Sequence, residues 1–216
     1  MAEISKMAGV SLATVSRTIH SPHLVRKGTL ERVNQVMERL NYVYHATAGD
    51  LSRKRSSIIG VIIPTAKSLV FSSTLQAIQE AAQQNNFSLV AGSSKYDIET
   101  ELSLLQQFKE RRLAGIILTG FVVGQKDLIK ELVKGGMPCV VIWDKLDDSD
   151  LSYVGFDNFK ATYRITEYLI SLRHRHIGLI VGPYTKVERV KRRLEGFKAA
   201  LTAHGLKFDP ELVIEK

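Results

Sequence analysis

The stretch AGVSLATVSR, residues 8–17, decides how the first part of the chain folds. Gly9 supplies a sharp turn between two short helices, and Ser11 can cap the start of the second helix. Three apolar residues have the spacing of a shared core: Ile4, Val10 and Val15. The stretch therefore predicts a helix-turn-helix, a motif that places its second helix in the major groove of duplex DNA.

The second helix of this motif would present its first residues to DNA. A planar guanidinium can donate two hydrogen bonds to a guanine edge, so Arg17 is the predicted base reader. Thr14 and Ser16 are predicted to contact phosphate groups, which fixes the register without reading the sequence. The predicted DNA-binding set in this helix is Leu12, Ala13, Thr14, Ser16 and Arg17. An ordinary helical hairpin has similar local features, so the short motif alone leaves that alternative open.

Positive charge is concentrated near the amino terminus. Residues 1–57 hold nine Lys or Arg against four Asp or Glu, a net charge of +5 out of +8 for the whole chain. The other 159 residues therefore carry only +3. A basic segment on a nearly neutral body is typical of a polyanion-binding head, although a solvated basic surface would have the same charge.

The composition is that of an ordinary globular protein. Hydrophobic residues make up 44% of the chain and charged residues 24%. No apolar run reaches the length of a membrane span, and the first residues lack the pattern of a secretory signal. Cys139 is the only cysteine, which excludes an internal disulfide. Together these features predict a cytoplasmic protein that does not contact a membrane.

From residue 58 onward, apolar strands alternate with helices. This alternation predicts a parallel sheet covered by helices on both faces. Residues 45–57 hold too few large apolar side chains for a core and are predicted to be a linker. The predicted helices are 3–8, 12–19, 28–40, 72–84, 99–111, 126–134, 158–172 and 187–204. The predicted strands are 58–63, 87–91, 115–119, 138–143, 153–156, 176–181 and 212–214.

These motifs together resemble the LacI family of transcriptional regulators. The resemblance begins with residues 8–17 and continues through LNY at 40–42 and VGFDNF at 154–159. It extends through HRHI at 174–177 and EGF at 195–197, so it covers essentially the full chain. The VGFDNF and HRHI stretches look most like gluconate-type repressors. The resemblance implies an all-α helix-turn-helix head plus an α/β periplasmic-binding-protein-like core with parallel sheets.

The resemblance implies a domain organisation and a set of partners. The expected segments are the head (1–44), a hinge linker (45–57), a first α/β subdomain (58–156) and the start of a second one (157–216). The expected partners are a double-stranded DNA operator, a small-molecule effector and a second copy of the chain, in a dimeric repressor. The family body extends beyond the point where this sequence stops, so we expect the second subdomain to be incomplete and the chain to be a truncated form or a fragment.

In this family the linker forms a hinge helix on DNA, and a leucine wedges into the minor groove. The matching position is Leu51, which would unstack a base step and bend the duplex. Gly49 disfavours a helix, and Asp50 would face phosphate with the wrong sign. Tyr44 and His45 stand where the family has its usual start of the helix. We therefore expect a weak hinge helix that orders only on a good operator.

The resemblance also implies an effector, a sugar or sugar acid, in a cleft at the carboxyl ends of the strands. Phe71, Asp144 and Asp157 are carried over by position as effector-binding residues. Lys191 and Arg193 are the expected anion or hydroxyl partners from the second subdomain. For Asp144 and Asp157, capping of loops and helices is an equally open interpretation.

No pattern in the sequence indicates catalysis. It contains no G-x-S-x-G, P-loop or H-E-x-x-H motif, and we expect neither a cofactor nor a metal. Cys139 opens a buried strand, which favours an inert thiol over a nucleophile. Two other functions remain open at this point: a sugar-binding protein without DNA function, and a doubly wound enzyme of sugar metabolism.

Overall fold

The computed structural model describes residues 1–43, 56–145 and 150–216. The chain divides into two compact units, the head (residues 1–54) and the core (residues 55–216). No helix within the described ranges is long and apolar enough to cross a membrane. The hinge positions singled out in the sequence lie outside the described residues: Tyr44, His45, Gly49, Asp50 and Leu51.

The head is built from three helices, which confirms the predicted helix-turn-helix. They are α1 (Ala2–Ala8), α2 (Leu12–His20) and α3 (Lys27–Arg39). A short 3₁₀ turn at Pro22–Leu24 stands where the sequence predicted only a break, because proline suits the first position of a helical turn. The three helices share one buried apolar cluster formed by Ile4, Ala8, Val15 and Val33, with Val10 packed at its edge.

Local hydrogen bonds fix the turn between α1 and α2. Gly9 has φ 63° and ψ 40°, a left-handed conformation that glycine adopts without a steric penalty. The carbonyl of Ser5 accepts the backbone N–H groups of Gly9 and Val10, and its hydroxyl donates to the Val10 carbonyl at 2.6 Å. Ser11 then caps α2 by accepting the Thr14 N–H at 3.1 Å. The angle between the helices therefore depends on Ser5 as well as on Gly9.

The first part of the core is a five-stranded sheet of order β2-β1-β3-β4-β5, and each pair of neighbours is parallel. Because β1 lies between β2 and β3, successive strands are added first on one side of β1 and then on the other. At such a reversal of strand order, the carboxyl ends of β1 and β3 border a crevice. The strands are β1 (Ile58–Ile63), β2 (Ser88–Ser93), β3 (Gly115–Leu118), β4 (Cys139–Ile142) and β5 (Ser152–Val154). The helices are α4 (Leu69–Gln84), α5 (Ile98–Glu110) and α6 (Lys126–Lys134).

Strand β1 is covered on both faces. Ile62 points into a cluster with Phe108 and Leu118, on the side of α5 and α6. Val61 and Ile63 join a second cluster on the side of α4. Successive side chains of a strand point to opposite faces, so the continuous apolar run at 58–63 matches a strand buried on both sides.

After Val154 the chain leaves this sheet. Two long helices then pack closely against each other, α7 (Asn158–Ser171) and α8 (Glu188–Ala203). They are accompanied by a parallel pair of strands, β6 (Leu179–Val181) and β7 (Val213–Glu215). At the helix crossing, a β carbon on Gly196 would overlap the carbonyl oxygen of Phe159. Only glycine fits this position without moving the helices apart.

The predicted elements are all present, but several of their boundaries were wrong. Strand β6 begins at Leu179 and not at His176, because the preceding residues run as a loop. Strand β4 ends at Ile142, because Trp143 adopts a left-handed φ of 67°. Helix α4 begins at Leu69, three residues earlier than predicted; Leu69 and Val70 are exposed and add nothing to the apolar periodicity.

We expect Gly196→Ala to lower the free energy of unfolding by about 1–3 kcal/mol, since the added methyl group forces α7 and α8 apart. In an unconstrained helix the same change is stabilising by roughly 1 kcal/mol, so the sign is diagnostic. Urea denaturation measures this change in the free energy of unfolding. The control is Gly28→Ala in α3, where an added β carbon meets nothing within 4 Å. A Gly196→Ala variant as stable as the parent would contradict the close crossing.

Candidate functional site

In the head, the exposed side of α2 carries the predicted base reader. Leu12, Ala13 and Arg17 are exposed, whereas Thr14 and Ser16 are half-buried. The opposite side of the helix is buried against the head core through Val15. The structure thus places all five predicted residues of the head on one helix, whose opposite side packs against the head core.

Thr14 has a structural role beside its predicted phosphate contact. Its hydroxyl lies 2.9 Å from the Ser11 hydroxyl, and its N–H is the group that Ser11 caps. Its carbonyl accepts the hydroxyl of buried Thr18 at 3.0 Å. These contacts hold the first turn of α2, the part of the helix expected to approach DNA.

In the core, three of the predicted site residues meet where β4 ends: Asp144, Asp157 and Arg193. Asp144 is 1% exposed and accepts hydrogen bonds from the Asn158 side chain and the Lys145 N–H, each at 3.0 Å. The Arg192 Nη1 atom lies 3.9 Å from the same carboxylate oxygen. Burial raises the pKa of Asp144, against the opposing effects of the Asn158 hydrogen bond and the Arg192 charge.

Asn158 occupies the junction between the five-stranded sheet and α7. It is 0% exposed, and its amide nitrogen donates to the Trp143 carbonyl at 3.0 Å as well as to Asp144. Its amide oxygen accepts from Arg193 Nε at 2.8 Å. One side chain therefore connects the end of β4 with α8.

Asp157 is the N-cap of α7. Its carboxylate accepts the Lys160 N–H at 3.0 Å, and this hydrogen bond holds the pKa of Asp157 below its ordinary value. Arg192 Nη2 lies 3.4 Å from the same oxygen, and Arg192 Nη1 donates to the Lys145 carbonyl at 2.9 Å. Arg192, which the sequence analysis did not select, thereby connects Asp144, Lys145 and Asp157.

Two backbone features allow this close approach. Trp143 takes its left-handed conformation while its N–H donates to the Val154 carbonyl at 3.0 Å. A β carbon on Gly155 would overlap the backbone of Asp144. The junction thus requires a glycine at position 155, which the VGFDNF stretch supplies.

A second residue missed by the sequence analysis is Arg189, in the first turn of α8. It is 5% exposed and donates from Nη1 to the Thr119 carbonyl at the end of β3. Its guanidinium carbon lies 5.8 Å from the centre of the Phe71 ring. Gly120, with φ 83°, leaves room for the guanidinium. Burial lowers the pKa of Arg189 to about 10.

The remaining predicted residues have different environments. Phe71, on α4, is 9% exposed and packs in the cluster that contains Val61 and Ile63, as well as under Arg189. Lys191 is exposed on α8, unlike Arg189. The i, i+4 spacing of Arg189 and Arg193 is the one sequence signal that could have paired them, since such residues share a helix face.

A small cavity adjoins this cluster. Its volume is about 290 Å³, and its walls include Phe121, Asp144, Glu188 and Arg192. Backbone hydrogen bonds close one side of it, from Val123 N–H to the Lys186 carbonyl at 2.9 Å and from Glu188 N–H to the Phe121 carbonyl at 3.1 Å. We use the term cleft for the region that holds this cavity, Arg189 and the carboxyl ends of β3 and β4.

Two other kinds of chemistry, a reactive thiol and a metal site, have little support in the described ranges. Burial raises the pKa of the Cys139 thiol to about 12, so the thiol stays protonated near neutral pH. The described residues contain no group of three or more His, Cys, Asp or Glu side chains placed to hold a metal ion.

Comparison with known proteins matches two separate parts of the chain. Residues 1–44 match the bacterial regulatory proteins of the lacI family. Residues 56–216 match the periplasmic binding proteins and sugar binding domain of the LacI family.

The chain is 31% identical over 211 residues to catabolite control protein A of Staphylococcus epidermidis, covering 97% of this chain and 63% of that protein. It resembles a crystal structure of the lac repressor dimer bound to operator and an anti-inducer, with TM-score 0.78, 26% identity and coverage of 99% and 63%. It also resembles the transcription regulator GntR of Chromobacterium violaceum, with TM-score 0.63, 32% identity and coverage of 73% and 57%.

The chain spans 63% of the length of catabolite control protein A. The family matches nevertheless extend over both the head and the core, and they agree with a helix-turn-helix followed by a parallel α/β core. The chain therefore belongs to the LacI family of bacterial regulatory proteins.

Proposed function

We propose that this chain is part of a transcriptional regulator that binds duplex operator DNA through α2. The observation that supports this most is the geometry of the head. Arg17 stands exposed on a helix whose opposite side is buried and whose first turn is fixed by Ser5, Gly9 and Ser11. A fixed, exposed guanidinium suits bidentate hydrogen bonding to a guanine edge in the major groove.

We further propose that the regulator acts as a homodimeric repressor. Two heads would bind a pseudo-palindromic operator with half-sites about one helical turn apart. The lac repressor that resembles this chain was crystallised as a dimer on its operator. In the core, a groove between α4 and the edge strand β2 is lined in part by Leu75, Phe87 and Leu89. The unpaired edge of a sheet beside such a groove favours association with a second copy.

A sugar or sugar-acid effector in the cleft would control this binding. Asp144 and Arg193 are the proposed direct contacts, since a carboxylate and a guanidinium can bind hydroxyl and acid groups. An effector beside Asp144 would compete with Arg192, which also bonds to the Lys145 carbonyl and approaches Asp157. Effector binding would therefore favour one arrangement of the junction between the five-stranded sheet and α7. If that arrangement differs in its affinity for the operator, effector binding and operator binding are linked.

The two other functions make different predictions. A sugar-binding protein without DNA function would show effector binding but no preference for a selected operator. An enzyme of sugar metabolism would show turnover with sugar acids. The comparisons favour a regulator over both, because the relatives named above are described as control or regulatory proteins.

We expect Arg17→Ala to weaken binding to an operator selected from a random duplex library. The expected loss is about 1–3 kcal/mol, the discrimination that one bidentate contact gives. Gel shifts on selected and scrambled duplexes measure it, with Arg39→Ala as a control that removes an equal, exposed charge from α3. Equal losses for the two variants, or binding that does not weaken with salt, would contradict the proposed interface.

Leu51 provides a separate test of the hinge that the family resemblance implies. Leu51→Ala is expected to weaken binding to the selected operator more than binding to scrambled DNA, because the wedge acts only on a duplex that can bend at its step. Competition gel shifts with both duplexes measure the ratio. If both affinities fall by the same factor, the minor-groove wedge is wrong.

A further inference from the structure

Among the described residues, Arg189 is a buried cation without an adjacent counter-ion. It is 5% exposed, and the only hydrogen bond that its guanidinium makes to a described residue is the one to the Thr119 carbonyl. No carboxylate oxygen of the described residues lies within 4.0 Å of it. Burial of an unpaired charge is costly, so such a group indicates a missing partner.

The guanidinium of Arg189 can still be reached. It has five N–H donors, and a single one is used by Thr119. Across the described part of the chain, the only fully enclosed side-chain nitrogen without a hydrogen-bond partner belongs to Gln125. The unbonded nitrogens of Arg189 are therefore not fully enclosed, and their hydrogen bonds remain available to a ligand.

Arg193 brings a second positive charge to the same face of α8. It lies four residues after Arg189, and its Nε donates to the neutral amide oxygen of Asn158. In the described ranges it too has no carboxylate oxygen within 4.0 Å. Two like charges at this spacing repel each other, and an anion between them would relieve the repulsion.

The nearby acids are already engaged or act from a distance. Asp144 is held by Asn158, the Lys145 N–H and Arg192. Glu101, on α5, is 6% exposed, and burial raises its pKa. Neither carboxylate reaches Arg189 within 4.0 Å, so both act on its charge only from a distance.

We propose that Arg189 and Arg193 together bind the anionic group of the effector, a carboxylate or a phosphate, and so select an acidic sugar over a neutral one. The Phe71 ring and the Thr119 carbonyl hold the Arg189 guanidinium in place before the ligand arrives. A pre-oriented guanidinium suits bidentate recognition of carboxylate or phosphate oxygens. This inference rests on the effector-controlled function proposed above.

The test is calorimetric titration of the full chain, at constant ionic strength, with two matched pairs of probes. D-gluconate is compared with D-glucitol, and D-glucose 6-phosphate with D-glucose. At least one acid should bind roughly tenfold or more tightly than its neutral counterpart, and the pair that shows this identifies carboxylate or phosphate. The site is refuted if neither acid is preferred over its counterpart.

Arg189→Gln should remove most of that preference, a loss of roughly ten- to a hundredfold in affinity for the acid, with affinity for the neutral sugar unchanged. Lys198→Gln is the matched control, because it removes an exposed charge from the same helix at a residue outside the proposed site. Equal losses in the two variants would mean that the preference reflects general charge and would overturn the proposal.

A stability measurement separates ligand binding from a purely structural role. Because the buried charge lacks a direct partner, Arg189→Met should leave the melting temperature of the ligand-free protein unchanged or raise it. A large fall in melting temperature, with the preference for acid retained, would show that Arg189 is instead a structural tie to Thr119.

Operator binding is measured on the same proteins. Absence of the acid preference in wild-type protein that still binds operator refutes this site alone. An intact acid preference in protein that ignores every operator refutes the proposed function and leaves the anion site standing.

Discussion

The amide of Asn158 is fully enclosed, and both of its ends are used. Its nitrogen donates to the Trp143 carbonyl and to Asp144, and its oxygen accepts from Arg193. Deleting one partner of a buried hydrogen bond leaves the other without compensation, at a cost of about 1–3 kcal/mol for each group. The short segment where the chain leaves the five-stranded sheet and begins α7 is therefore one place where the core is tightly constrained.

The geometry around Asn158 follows from this constraint. Trp143 takes a left-handed conformation so that its carbonyl reaches the amide, and Gly155 allows the backbone of Asp144 to come close. Asp157 starts α7 in the register that buries Asn158. The residues that join the two parts of the core are also those that border the cleft. An effector that contacts Arg193 would alter a hydrogen bond of the junction, so effector and junction are coupled through shared atoms.

Sequence reasoning predicted the elements well where the pattern is local. Strand β1 and helix α6 have the predicted bounds, because a continuous apolar run and a sharply amphipathic stretch define them. It failed at boundaries set by backbone geometry, such as the left-handed turn at Trp143. It also missed Arg189, whose partner Thr119 lies 70 residues earlier in the chain. In a basic helical stretch, nothing local distinguishes the arginine that is buried from Lys191, which is exposed.

The central claim, that Asn158 holds the two parts of the core together, is tested most directly by urea unfolding of Asn158→Ala. Trp143 is the only tryptophan of the chain, so its fluorescence reports on the junction, whereas far-UV circular dichroism reports on the whole backbone. The variant should lose about 2–4 kcal/mol of stability at the junction, and its fluorescence transition should precede the dichroism transition. Coincident transitions at the parent midpoint would contradict the account.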